Sequence, residues 1–303
     1  APLRRAAAAQ LARLAKAGVP GADPDEWWGL RPLSDDRPLV GQGELVRVSP
    51  STVDSSLRCG LRWLLERHGG SNPPTAKQTI GNLVHSAAML VAEASVREMA
   101  AAVRSYVDER FDLIELEARW LRGKERRRAE RMVDKLLTWL AENPREQVAV
   151  ERDFDVRLPP TEASAGRAVQ IRGRVDRLER DAKGRLVVVD LKTGANAPSE
   201  AEVAEHPQLA SYQVAVEAGA FGVGEASGGA EIVAVGTDSV KPTVRAQPPL
   251  QESEDPGWAE DLVRRAAATM AAATFRAVVN DSCPYCAVRT SCPLSGKGRQ
   301  VPS

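Results

Sequence analysis

In the segment GRVDRLERDAKGRLVVVDLKTG, residues 173 to 194, three ionisable side chains are spaced for joint chemistry: Asp176, Asp190 and Lys192. The segment reads as two strands around the turn Asp181-Ala182-Lys183-Gly184. Asp190 and Lys192 are two residues apart on a strand and so share a face. The turn brings Asp176, on the preceding strand, beside Asp190. Two carboxylates on neighbouring strand ends can hold a hard divalent cation through oxygen, and Mg²⁺ takes one or two carboxylates plus substrate phosphate. An ammonium on the same face can offset phosphate charge or orient an attacking water. Taken singly, these residues are ordinary: a D-x-K at a strand end is usually a solvated rim, and Asp176 could simply pair with Arg174. The order G-x-x-D, turn, apolar strand, D-x-K is rarer. Val187 to Val189 mark the second strand as buried, so its polar end meets a packed sheet edge.

The frame for these groups is read from periodicity. Residues 50 to 142 are expected to be helical. SPSTVDSSLRCGLRWLLERHGG opens with capping residues and ends at a Gly pair, Ala76 to Met99 has helical apolar spacing, and Phe111 to Leu140 is a charged helical stretch. The period then changes to two. Residues 148–159 and 168–181 alternate, the all-apolar strand follows, Ser199 to Gly219 is helical, 231–238 is a strand, and a helix over 258–279 leads to a Cys-rich tail. The expected organisation is a docking leader over 1–45, a folded domain over 46–295 and a tail over 296–303. Within the domain, 46–145 is helical, 146–280 is the α/β core and 281–295 is the Cys cluster.

Composition narrows the classes. The chain has 303 residues, enough for one elaborated domain or two, and 43% hydrophobic with 27% charged residues fits a globular protein. With 41 basic and 41 acidic residues, bulk charge points to no polyanionic partner, so any nucleic acid must be met by a local groove. No apolar run approaches the roughly 20 residues of a membrane helix. Arg13 and Lys16 break up the Ala-rich start, which reads as a short surface helix rather than a signal peptide. Trp27 and Trp28 in the leader are expected to dock on a surface. Because the chain begins at Ala, it is expected to be a piece of something longer.

Four cysteines are present, Cys59 alone and Cys283, Cys286 and Cys292 in C-x2-C-x5-C. C-x2-C is poor disulfide geometry, and four thiolates suit either zinc or an iron–sulfur cluster; spacing alone leaves both open. The stretch 119–135 carries eight basic and three acidic residues, among them Arg126, Arg127 and Arg128. It reads equally as a solvated helix and as the phosphate-facing wall of a groove, with Trp120 and Trp139 as candidates for base stacking. QTIGNLVH sets Gly81 and His85 one helical turn apart, HPQLASYQ sets Gln208 and Tyr212 at i and i+4, and Glu151 lies on the strand before Asp176.

Together these motifs resemble the RecB-like branch of the PD-(D/E)XK nucleases. The resemblance covers roughly residues 50 to 295 and implies an α/β nuclease core, a mixed sheet flanked by helices, with a helical N-terminal elaboration. It implies that His85, Asp176, Asp190 and the carbonyl of Leu191 bind Mg²⁺ or Mn²⁺. Lys192 would be catalytic, Gln208 and Tyr212 would steady the site, and Glu151 would be accessory. A Cys ahead of the His helix and three after the core resemble the 4Fe-4S staple of AddB-type nucleases, with structural Zn²⁺ as the alternative. The leader DPDEWWGLRPLSDDRPL is most similar to the actinobacterial AdnA/AdnB helicase–nucleases. The implied activity is single-strand DNA hydrolysis during double-strand break repair, alongside a helicase motor and a second subunit, in the bacterial cytoplasm. Two alternatives accompany it: a non-catalytic module gripping DNA ends, and a freestanding CRISPR-associated exonuclease.

Overall fold

The computed structural model describes residues 2–27, 36–71, 75–89, 96–116, 118–222 and 225–297. Contacts divide the chain into two units, Ala1–Pro38 and Leu39–Ser303. The first contains helix α1 (Pro2–Lys16) and a 3₁₀ turn, Pro24–Glu26, whose N-cap Asp23 accepts from the Asp25 N–H. Trp27 donates its Nε1 hydrogen to the Gly21 carbonyl at 2.8 Å, and Trp28 lies outside the described residues.

The second unit is a mixed α/β fold around a six-stranded sheet, as the sequence implies. Its order is β1 (Leu45–Val48), β3 (Ala168–Arg180), β4 (Leu186–Lys192), β5 (Ser227–Ala234) and β6 (Thr243–Gln247), with β2 (Glu146–Leu158) also paired to β3. The β1–β3 and β4–β5 pairs are parallel and the others antiparallel. The β3–β4 hairpin closes where the pattern indicates: Asp181 N–H bonds Arg185 O at 2.9 Å, and Gly184 supplies the turn's positive φ of 82°.

The sheet separates two apolar clusters. On one face Val188, Ile232, Val175 and Leu178 pack with Leu209, Tyr212 and Val216 of α8 (Pro207–Glu217), and with Val263 and Met270 of α9 (Trp258–Ala271). Val53 of α2 (Pro50–Arg58) joins them, and Trp63 comes from α3 (Gly60–Leu65). On the other face Val189, Leu191, Val233 and Val235 meet three further helices. These are α4 (Ala76–Met89), α5 (Val96–Phe111) and α6 (Arg122–Glu142), which contribute Ile80, Val84, Val107, Phe111, Met132 and Leu136. Each strand of the central pair therefore needs apolar groups on both sides, which is why β4 reads as a continuous apolar run.

Several boundaries differ from the sequence reading. The charged stretch from Phe111 is not one helix: α5 ends at Phe111, a 3₁₀ turn covers Arg119–Leu121, and α6 starts at Arg122. The apolar run from Ala76 is helical to Met89, and residues 90–95 lie outside the described part. The segment from Ser199 splits into α7 (Glu200–Ala204) and α8, because Pro207 lacks the N–H that would continue a helix and instead starts one. α9 stops at Ala271 rather than Val279, and Leu39 and Val40 donate to the carbonyls of Ala272 and Ala271. Strands β1 and β6 have no counterpart in the sequence pattern. Among the described residues no helix is long and apolar enough to cross a membrane.

Candidate active site

The chemistry-bearing residues meet at the carboxyl end of β4. Val235 and Gly236, just past parallel β5, donate their N–H groups to the Lys192 carbonyl at 2.9 and 3.4 Å and fix that strand end. Asp190 faces α8 and is only 3% exposed. Gln208, near the start of α8, donates its Nε2 hydrogen to Asp190 Oδ1 at 2.8 Å and accepts from Lys192 Nζ at 2.9 Å. Lys192 Nζ also lies 2.8 Å from Asp190 Oδ2, and this enclosed oxygen receives no hydrogen bond of good geometry. One turn on, Tyr212 takes a long contact of 3.4 Å from Gln208 and donates to the Arg174 carbonyl at 3.4 Å. The i, i+4 spacing of Gln208 and Tyr212 thus turns both side chains onto the end of the sheet.

Across the edge of β4, three further groups converge. His85 Nδ1 on α4 is 3.5 Å from Asp176 Oδ1. Asp176 Oδ2 accepts the Leu191 N–H at 2.7 Å, which locks β3 to β4 beside Asp190. Glu151 completes the group: one ligand atom each from His85, Glu151 and Asp176 lie within 4.8 Å of one another. The pairings Val150 with Arg177 and Arg152 with Val175 set Glu151 directly opposite Asp176. Glu151 is in the left-handed region at φ 47°. That conformation costs a residue with a β-carbon on the order of 1–3 kcal/mol, and here it turns the carboxylate toward His85. A cavity of about 20 Å³ lies among His85, Glu151, Asp176, Leu191 and Trp139. On the Lys192 side a groove of about 610 Å³ opens, lined in part by Arg58, Asn196 and His206.

Charge follows geometry. Burial pushes the Asp190 carboxyl up to about 6, with the nearby Lys192 ammonium opposing and Asp176 adding to the rise. Burial alone would lower His85, but the hydrogen bond and charge of Asp176, with Asp190 and Glu151 behind, leave it raised. Glu151 is raised by burial and by Asp176. Burial also raises Tyr212, so it stays a neutral donor. The carboxylates of Glu151 and Asp176, held this close, repel as anions. A divalent cation would relieve that repulsion. The trio of ligand atoms and the small cavity beside it fit such an ion.

Of the expected residues, the structure joins His85, Asp176, Asp190, Lys192, Gln208 and Tyr212 with Glu151. Glu151 stands closer to His85 and Asp176 than its accessory reading suggests. Asp190 instead turns its carboxylate to Gln208 and Lys192. Leu191 contributes its N–H to Asp176. The sequence pattern does not mark Thr193, although Gly81 carries its signal: a β-carbon at Gly81 would meet Thr193 Oγ1 at 2.6 Å. The glycine lets α4 press against the end of β4 and carry His85 in.

The basic stretch does not form one wall. Arg126 is taken up by Asp108 at 3.0 Å and by Asp112, and lies over Phe111. Arg128 donates to the Thr193 carbonyl at 3.0 Å, whereas Arg127 is exposed. Trp139 is buried beneath Arg177, which removes it as a stacking candidate, and Trp120 is 80% exposed.

Cys59, Cys283, Cys286 and Cys292 line one cavity of about 150 Å³, walled by Leu61, Val278 and Val288. Cys59 is the non-helical joint between α2 and α3, and the other three lie on the irregular segment after α9. Among the described residues, His85, Glu151 and Asp176 form the one group of three or more metal-ligating side chains within 4.8 Å, so no three of these sulfurs lie that close together. Tetrahedral zinc at about 2.3 Å from each sulfur would need thiolates about 3.8 Å apart.

A model of the PD-(D/E)XK nuclease superfamily matches residues 47–293. No curated protein sequence matches the chain. A solved structure described as the crystal structure of SSO0001 is similar over 82% of this chain and 85% of that one, with a TM-score of 0.41 and 15% identity.

Proposed function

The chain belongs to the PD-(D/E)XK nuclease superfamily, and from that premise we propose that it hydrolyses phosphodiester bonds of single-stranded DNA with Mg²⁺ or Mn²⁺. The observation that carries this reading is the convergence of His85, Glu151 and Asp176 within 4.8 Å, beside the Asp190–Gln208–Lys192 triangle. When bound, the cation would polarise the scissile phosphate and acidify a water. The side chains supply the rest. His85, Glu151 and Asp176 offer nitrogen and oxygen donors from one side, and Asp190 closes the set from the other. Gln208 holds Asp190 and Lys192 in fixed relation. Lys192, 37% exposed at the mouth of the groove, sets a positive charge where negative charge develops on phosphate.

The four cysteines hold a 4Fe-4S cluster in this reading. A thiol-lined cavity of about 150 Å³ leaves room for a polyatomic cluster among the four sulfurs. The resemblance of these motifs to AddB-type and AdnA/AdnB proteins supports reading this chain as the nuclease module of a helicase–nuclease acting on double-strand break ends. Its partners would be DNA, a helicase motor and a second subunit. The test is cleavage of labelled single-stranded DNA by purified protein. Cleavage should appear with Mg²⁺ or Mn²⁺, stop with EDTA and be lost in Lys192→Met. Cleavage that persists in EDTA would reject the reading.

A further inference from the structure

Two cations of α6 are spent on backbone rather than on solvent. Arg128 donates to the Thr193 carbonyl at 3.0 Å, and Lys135 donates to the Thr237 carbonyl. The two are seven residues apart and so lie on one face of the helix. Lys135 is 6% exposed and the Arg128 side chain 20%, so neither presents a free charge. Their acceptors lie in the two segments that leave the parallel strands β4 and β5 on the site's side of the sheet. Thr193 directly follows Lys192, and Thr237 follows Gly236, whose N–H donates to the Lys192 carbonyl.

The packing around Thr193 leaves no slack. A β-carbon at Gly236 would lie 2.0 Å from the Thr193 carbonyl oxygen, and one at Gly81 would lie 2.6 Å from Thr193 Oγ1. Gly81 is one turn before His85 on α4. Thr193 thus touches the strand end that carries Asp190 and Lys192 and the helix that carries His85. Arg128 supplies a charged donor to its carbonyl, and charge-assisted hydrogen bonds are the stronger kind.

We infer that Arg128 is a positioning residue, which with Lys135 braces the ends of β4 and β5 and so sets Lys192 and His85 relative to each other. This rests on the nuclease reading for its consequence in activity, but the brace itself can be measured without cleavage. In Arg128→Ala, hydrogen exchange of the Val235 and Gly236 amides should accelerate at least tenfold while the Ile232 amide stays protected. Single-turnover cleavage at saturating protein should fall roughly 10- to 100-fold, the scale of an ångström-sized misplacement. The DNA dissociation constant and its salt slope should stay at wild-type values, and Arg128→Lys should recover part of the rate. If Arg128→Ala fails to fold, Lys135→Met is read by the same exchange and rate measurements. Unchanged exchange at Val235 and Gly236 overturns the brace, whether or not the wild type cuts DNA. A normal saturating rate with weaker binding and a salt slope lower by about one also overturns it, and makes Arg128 a phosphate contact.

Discussion

The strand-end site and the cysteine cavity have opposite construction. Asp176, Asp190 and Lys192 sit on strands whose register is fixed by pairing on both sides, and their polar atoms are tied to Leu191 and Gln208. Cys283, Cys286 and Cys292 sit on an irregular segment whose own bonds are short-range turns. One long-range tie there is Asn280 donating to the Arg58 carbonyl at 3.3 Å. The first region is therefore organised before any ligand arrives, and its ligand supplies chemistry. The second has thiols around a space, and its ligand would supply the fold.

That contrast can be broken by exchanging roles. Asp190→Asn keeps size and the Gln208 contact but removes the charge, and should lower single-turnover cleavage at least 10³-fold without loss of fold, because this interaction is made with the reacting centre. Cys59→Ser should do the reverse. The cluster would close a loop of more than two hundred residues between Cys59 and Cys283. Loss of that tie should cost on the order of 3–5 kcal/mol, a fall of about 10 °C in Tm, with cleavage falling only as fold is lost. Iron and sulfide analysis of protein prepared without oxygen checks the ligand; stoichiometric zinc without iron would contradict it.

A smaller effect sharpens the same contrast. Because Asp190 is pushed up to about 6 from an ordinary 3.8, its contribution to metal-free stability is complete below pH 4 and is lost as pH rises through 6. Asp190→Asn should therefore be more stable than the metal-free wild type at pH 7 by roughly 2–3 kcal/mol, and equal to it near pH 4. Denaturant melts in EDTA at both pH values measure this; equal stability at pH 7 would mean the charge is not strained. The smallest effect is at the surface. Arg127→Ala should reduce the salt slope of DNA binding by about one, whereas Arg126→Ala should leave it alone, since Asp108 and Asp112 already neutralise that charge.

Much of the sheet and the site was legible because both depend on local pattern. The hairpin was marked by Asp181 to Gly184, the buried strand by its apolar run, and Gln208 and Tyr212 by helical spacing. What escaped depends on tertiary contact. β1 and β6 are four and five residues long, too short to show a period. β5 begins at Ser227, four residues before the expected start, because Gly228 and Gly229 resemble a turn. Gly229 is in fact where β6 presses in, its β-carbon position lying 2.6 Å from the Gln247 carbonyl oxygen. Nothing in the sequence shows that Glu151 takes a positive φ, or that Arg126 and Arg128 are already engaged while Arg127 is not.

The most direct test of the strand-end metal site is Mn²⁺ binding followed by electron paramagnetic resonance. Mn²⁺ prefers oxygen and nitrogen donors over thiolates, so it reports the strand-end site and not the cysteine cavity. One tightly bound ion per wild-type chain is expected, with at least tenfold weaker binding in both Asp176→Ala and Asp190→Asn. Wild-type affinity in both variants would contradict it.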